Sequence, residues 1–164
     1  MPRQRPVRLR TAGAVACLLL LGTLASCGGD VEVDSPALEG ADADACAELV
    51  DALPETVSDQ ERRRVEPADA YGAAWGDPAI VLRCGVSMPE EFDAFASCHV
   101  TNGVGWFVPE SQVEDQQADV VMTTVGRAQN VQVVVPARYR PPAAAMVDLA
   151  PAIKSSIREV QPCV

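Results

Sequence analysis

The N-terminal stretch constrains the fold of this chain more than any other, because it decides the compartment in which the rest folds. Four arginines precede an uncharged, leucine-rich run from Ala12 to Ala25, and Ser26 and Cys27 follow it directly. A membrane-spanning helix needs about 20 apolar residues, so this run is too short for a comfortable span and matches the core of an export signal. We therefore expect residues 1–26 to be removed and the protein to fold outside the cytoplasm.

The tetrapeptide Leu24-Ala25-Ser26-Cys27 resembles the lipobox of bacterial lipoprotein precursors. In that motif, a branched apolar residue and two small residues precede the cysteine that is acylated and becomes the new N-terminus. The resemblance implies a diacylglyceryl anchor on Cys27 and a location on the extracytoplasmic face of the cell membrane. Two acyl chains suffice for stable anchoring, at about 0.8 kcal/mol per buried methylene.

The remaining chain is expected to form one tethered domain. Residues 27–164 have the length for one real core and not for two. We expect a flexible tether at residues 27–40, in which residues 31–33 alternate like a short edge strand, and a single domain at residues 41–164. Nine basic residues against 23 acidic ones give this part a formal charge of −14. That charge disfavours nucleic acid as a partner.

Cysteine usage supports export. Two of the six cysteines belong to the signal segment and its processing site, and four remain for the domain: Cys46, Cys84, Cys98 and Cys163. An even number in an oxidising compartment predicts two disulfides, and three pairings are open. We favour Cys46 with Cys84, because a first helix would direct Cys46 at a buried strand. We favour Cys98 with Cys163, because that bridge would hold an otherwise unattached tail.

Two helices are predicted from apolar residues at helical spacing. The first runs from Asp42 to Leu53, with Asp42 or Asp44 as its cap and Pro54 after its last turn. The last follows Pro142, places Ile157 on its apolar side, and must kink or restart at Pro151.

Strand signals lie between these helices. Ala79 to Val86 is almost continuously apolar and predicts a central strand. Asn102-Gly103 predicts a two-residue hairpin of type I′, with Trp106 directed at the core. Residues 120–125 and 131–135 add two more strands. We therefore expect an α+β domain, with a four- or five-stranded, mainly antiparallel sheet and an N-terminal and a kinked C-terminal helix packed on one face.

Five motifs occur in a characteristic order. A Cys-x-x-Leu helix ends at Leu53-Pro54, and Trp-Gly-Asp-Pro-Ala-Ile-x-Leu-Arg-Cys-Gly-Val occupies residues 75–86. Shorter motifs lie at residues 102–106, 123–127 and 135–141. Together they resemble an uncharacterised family of actinobacterial lipoproteins, domain of unknown function 3515, over about residues 38–160. The resemblance implies an exported, lipid-anchored domain and assigns no activity or catalytic residue.

Residue types that support catalysis or metal binding are sparse. His99 is the only histidine, and it adjoins Cys98. Adjacent strand residues point to opposite faces, so these two do not form a nucleophile pair. A copper site from His99, Cys98 and Met88 has suitable ligand types, but a disulfide explains Cys98 better. We expect no catalytic residue, no metal site and no cofactor.

Two other groups of residues have side chains suited to binding a ligand. Trp75 and Trp106 could line a small-molecule groove with Arg83 or Arg127, although we favour core packing for the tryptophans. Arg62-Arg63-Arg64 could bind an anion, but acidic residues flank it on both sides and favour an exposed segment of mixed charge.

The functional expectation is a non-enzymatic binding or assembly module of the cell envelope. Its partners would be the membrane, through the anchor at Cys27, and an envelope protein or wall component. Two alternatives stay open, a subunit of a cell-wall hydrolase or transferase and a metal-binding lipoprotein.

Overall fold

The computed structural model describes residue 1, residues 29–93 and residues 95–163. The expected signal segment and Cys27 lie outside the described residues, apart from residue 1. Within the described residues, no helix has the length and apolar character needed to cross a membrane.

An eight-stranded antiparallel sheet forms the centre of the domain. Its strands in spatial order are β2 (Thr56–Val57), β3 (Gln60–Arg63), β5 (Gly72–Trp75), β6 (Ile80–Cys84), β10 (Val131–Val135), β9 (Val120–Val125), β8 (Val104–Phe107) and β7 (His99–Thr101). A separate parallel pair joins β1 (Val31–Glu32) to β4 (Val65–Glu66). The strand β6 lies in the middle of the sheet, as predicted.

The expectation of four or five strands is wrong. The strands that the sequence missed are β2, β3 and β5, which have only two to four residues each. Their residues are mostly polar or small, so they show neither apolar alternation nor a β-branched run. They become strands through pairing, as Arg62 lies opposite Trp75 and Ala74 opposite Val81.

Three helices accompany the sheet: α1 (Gly40–Ala52), α2 (Glu110–Glu114) and α3 (Ala143–Ser156). A short 3-10 turn, Ala137–Tyr139, precedes α3. The helices α1 and α3 contact each other and cover one face of the sheet. Glu39 occupies the N-cap of α1 without a side-chain hydrogen bond, so neither predicted aspartate caps it. Pro151 lies inside α3, which is one helix rather than two.

The core lies between these two helices and the sheet. Strand register places Trp75 opposite Ile80 and Leu82 opposite Val133, all on the helix-covered face. The largest fully buried side chains of the core include Trp75, Trp106, Leu49, Ile80, Leu82, Met122, Leu149 and Ile153. Removing this apolar surface from water is the main favourable term in folding.

The predicted hairpin between β7 and β8 is confirmed. Asn102 and Gly103 have φ angles of 49° and 79°, the left-handed conformation that a type I′ turn requires at both positions. The segment expected to act as a tether also contacts the domain, because Val31–Glu32 forms β1 and Val33 is buried. The N–H of Val33 donates to the carbonyl oxygen of Glu66 at 2.9 Å.

Two cysteine pairs lie at disulfide distance. Cys46 and Cys84 connect α1 to β6, with 5.7 Å between their Cα atoms. Cys98 and Cys163 connect the start of β7 to the C-terminal tail, with 6.1 Å between their Cα atoms. Of the three possible pairings, the structure therefore brings together the one that the sequence favoured.

Candidate binding cleft

The connection from β6 to β7 shapes the face of the sheet that α1 and α3 leave open. The two strands are fourth and eighth in the sheet, so the connection between them must pass β10, β9 and β8. We call its described residues, 85–93 and 95–98, the crossover segment. On this open face Phe107 lies beside Thr123, and the Phe92 ring packs edge-on against the Phe107 ring at 5.2 Å between centroids. Phe92 thereby fixes the crossover segment to the sheet.

A cleft of about 610 Å³ lies between the crossover segment and the connection from β8 to α2. We call it the acidic cleft. Its charged side chains are Glu91, Asp93 and Glu110, all exposed, and its apolar ones include Phe95 and Phe107. None of its described lining residues is a lysine or an arginine. The cleft therefore combines negative charge with an apolar wall.

Two smaller clefts continue this surface around the C-terminal tail. The second, of about 410 Å³, shares Asp93 and Ala96 with the acidic cleft. The third, of about 210 Å³, shares Pro162 and Cys163 with the second and reaches Val100. No basic side chain is found among the described residues that line either one. The three clefts thus adjoin one another along the crossover segment, the C-terminal tail and β7, and the unpaired carboxylates among their described lining residues are those of the acidic cleft.

Strand β7 is the outer edge of the sheet on this side. In a two-residue hairpin Thr101 hydrogen-bonds with β8, so the N–H and C=O of Val100 point away from it. Since β7 ends the strand order, these two groups face no neighbouring strand among the described residues. The side chain of Val100 is 62% exposed. The edge is therefore free to pair with another strand.

The tryptophans of the suggested groove belong to the core. Trp75 and Trp106 are both fully buried on the helix-covered face. The indole N–H of Trp75 donates to the carbonyl oxygen of Pro54 at 3.0 Å, which satisfies its polar atom. Core packing, the use that the sequence favoured, is therefore what the structure shows for both.

The two arginines of that groove lie apart from the tryptophans and from each other. Arg83 is on the open face and donates to the side-chain oxygen of Gln132. Arg127 donates to the carbonyl oxygens of Ile157 and Gly103, at 3.1 and 2.8 Å, and pairs with Glu159 at 3.2 Å. Arg127 thus joins the end of α3 to the β7–β8 turn. The structure does not bring the four groove residues into one site.

The arginine cluster is used mainly inside the fold. Arg62 donates to the carbonyl oxygens of Val50 and Leu53 at the end of α1, at 3.0 and 3.2 Å. Arg63 donates to the carbonyl oxygen of Gly76 at 2.8 Å, while Arg64 is exposed. Two of the three guanidinium groups therefore bind backbone oxygens rather than facing a common ligand.

The Cys98, His99 and Met88 combination does not form a copper site. Cys98 is bonded to Cys163, so its sulfur is not free as a thiolate ligand. His99 lines the acidic cleft and Met88 lines the second cleft. Among the residues that the structure describes, no group of three histidine, cysteine, aspartate or glutamate side chains is placed to hold a metal ion.

The residues of the acidic cleft are not among the candidate site residues that the sequence indicates. A signal was present, because two of the three phenylalanines of the chain, Phe92 and Phe95, stand among acidic residues within residues 87–96. Phe95 is 94% exposed, whereas Phe107 is buried under Phe92. All three phenylalanines thus belong to the clefts or their walls.

Comparison with known proteins yields one result. The model of a family described as "Protein of unknown function (DUF3515)" matches residues 9–162. No curated protein and no solved structure matches the chain.

Proposed function

We propose that this chain, which belongs to the DUF3515 family, is a lipoprotein of an actinobacterial cell envelope that binds an envelope partner through its acidic cleft. In this proposal, residues 1–26 are the signal peptide and Cys27 carries a diacylglyceryl group. The folded domain works on the extracytoplasmic face of the cell membrane as a non-enzymatic binding module.

The acidic cleft is the observation that carries the binding role. A phenylalanine that is 94% exposed, as Phe95 is, leaves a large apolar side chain in water. Exposed apolar surface bordered by polar residues is typical of protein interaction sites, and aromatic side chains are common binding anchors. The adjoining carboxylates of Glu91, Asp93 and Glu110 would select the charge of the partner.

The lipobox-like tetrapeptide and the disulfide pairs support the location. The four domain cysteines form two pairs at disulfide distance, which suits an oxidising compartment. The free tether would be short, because pairing begins at Val31 and Arg63 donates to the carbonyl oxygen of Gly29. Four residue steps from Cys27 to Val31 span at most about 14 Å, so the domain would stay close to the membrane.

The anchor is tested by metabolic labelling with a clickable fatty acid. We expect label on the wild type and none on Cys27→Ala, because the acylated thiol would be gone. Cys17→Ala is the matched control and should label like the wild type. Equal labelling of wild type and Cys27→Ala would contradict the anchor.

The binding role is tested by photo-crosslinking in intact cells. A photoreactive phenylalanine analogue at position 95 should give one discrete adduct with an envelope component. The same analogue in place of Val147, which is 44% exposed on α3, should not give it. Identical adduct patterns from both positions would show that the acidic cleft is not the binding site.

A further inference from the structure

The free edge strand of the sheet and the charged residues around it together favour one kind of binding partner. Strand β7 offers the N–H and C=O of Val100 to a further strand, and pairing with such an edge gives affinity through main-chain hydrogen bonds. Every charged residue among the described lining of the three clefts is acidic: Glu91, Asp93, Glu110 and Glu159. Among the residues that the structure describes, Glu159 is the one of these four with an arginine partner.

The side chains of β7 predict the pattern of the added strand. Side chains opposite each other on neighbouring strands lie on the same face and contact each other. Val100 is on the open face, the same face as the crossover segment and the acidic cleft, whereas His99 lies opposite Trp106 on the helix-covered face. An added strand that alternates basic and apolar residues would therefore place its basic side chains on the open face, toward the acidic cleft, and its apolar ones on the other face.

We propose that β7 and the acidic cleft take up an extended, basic segment of another protein as a ninth strand of the sheet. This proposal rests on the binding role above and names its partner class. Basic side chains of the segment lie on the open face in the acidic cleft, its main chain pairs with Val100, and Phe95 packs against the apolar part of one of the basic side chains.

Charge also decides between this partner and a second copy of the chain. Two copies paired through β7 would bring two acidic clefts together, and residues 27–164 of each copy have a formal charge of −14. Repulsion between the two clefts would make the free energy of dimerisation less favourable. A basic segment would instead be attracted to the acidic cleft and steered toward it.

The experiment uses the full chain in mild detergent and a fluorescent eight-residue peptide of alternating lysine and valine. Binding is followed by fluorescence anisotropy. We expect saturable binding that weakens at least tenfold when the salt rises from 50 to 500 mM, since exposed charges are then screened. A glutamate–valine peptide should not bind. A lysine–valine peptide methylated at every backbone amide nitrogen should bind at least tenfold more weakly, because its main chain has no amide N–H donors.

Protein variants locate the site. The triple change Glu91→Gln, Asp93→Asn and Glu110→Gln should weaken binding at least tenfold, and Phe95→Ser should do the same. The matched control changes the same number of exposed carboxylates on and after α1, as Glu48→Gln, Asp51→Asn and Glu55→Gln. That control should bind like the wild type. Sedimentation of each variant without peptide reports self-association.

The outcomes separate this inference from the proposed function. Equal binding by the two triple variants, or by the N-methylated peptide, would overturn strand addition by a basic segment. Strand addition by a basic segment would also be overturned if the wild type did not bind the peptide but formed dimers, and if Val100→Glu abolished those dimers. If the wild type neither binds the peptide nor dimerises while the adduct from position 95 persists, the binding role stands and this partner class is wrong.

Discussion

Trp75 shows at the residue scale how one side chain joins the core to a loop. Its side chain is fully buried beside Ile80, and its indole N–H donates to the carbonyl oxygen of Pro54 at 3.0 Å. Trp75→Ala should lower the free energy of unfolding by about 3–5 kcal/mol, because it leaves a cavity. Urea unfolding measures this. The control Val147→Ala, at an exposed position on α3, should change the free energy of unfolding by less than about 0.5 kcal/mol. Similar losses for both variants would place Trp75 outside the core.

Arg62 closes the C-terminal end of α1 from a neighbouring strand. That helix has no basic residue in its last turn, and Arg62 binds the carbonyl oxygens of Val50 and Leu53 instead. Those carbonyls carry the negative end of the helix dipole.

Arg62→Gln should therefore lower the free energy of unfolding by about 1–2 kcal/mol, less than a fully buried hydrogen bond to a charged group would contribute, because the Arg62 side chain is partly exposed. Arg64→Gln removes the same charge from an exposed side chain two residues away and should be nearly neutral. Chemical denaturation of both variants compares them, and equal effects would show that Arg62 does not stabilise α1.

The role of Arg62 at the end of α1 could not be predicted from the sequence. The run Arg62-Arg63-Arg64 suggested an anion site or an exposed segment. Which arginine meets a helix end depends on the pairing of β3 with β5, a contact between residues distant in sequence. Local composition carries no information about that contact.

At the element scale, long and strongly patterned segments were predictable. Both main helices, the central strand β6 and the Asn102-Gly103 hairpin follow from periodicity and turn chemistry within one stretch of chain. The short strands at the β2 side were missed because two to four residues cannot show a period.

The candidate site was missed for a different reason. The acidic cleft exists because the crossover segment passes over three strands before β7 joins the sheet. Its location depends on strand order, which the residues of the segment do not encode by themselves. Only the unusual pairing of Phe92 and Phe95 with acidic neighbours pointed to it.

Gly126 tests how the C-terminal tail is held. Its φ is 73°, and a Cβ atom added there would overlap the carbonyl oxygen of Gln161. Its own carbonyl oxygen accepts hydrogen bonds from the N–H groups of Val160 and Gln161, at 2.8 and 3.1 Å. Gly126 thus lies directly under the tail.

Gly126→Ala should lower the free energy of unfolding by about 1–3 kcal/mol through backbone strain. It should also displace the C-terminal tail. Hydrogen exchange at residues 159–163 should accelerate. Gly29→Ala is the control, because nothing lies within 4 Å of its added Cβ. Unchanged exchange in Gly126→Ala would mean that the tail does not rest on this glycine.

At the scale of the whole molecule, the two cysteine bridges enclose most of the domain. They join residues 38 and 65 positions apart in sequence. In the chain-entropy model, loops of this length stabilise the fold by about 4 kcal/mol each. Replacing both members of either pair by serine should lower stability by roughly that amount in thermal unfolding. A change near zero would mean that the bridge does not constrain the unfolded chain.

The proposed function requires a domain that is acylated at Cys27 and folded in an oxidising space. Intact-mass spectrometry of the native protein, alkylated without reduction, tests this directly. We predict a membrane-fraction protein that starts at Cys27, carries the mass of a diacylglyceryl group and takes up no alkylating agent. An unacylated 164-residue chain in the cytosolic fraction, with all six cysteines alkylated, would contradict the account.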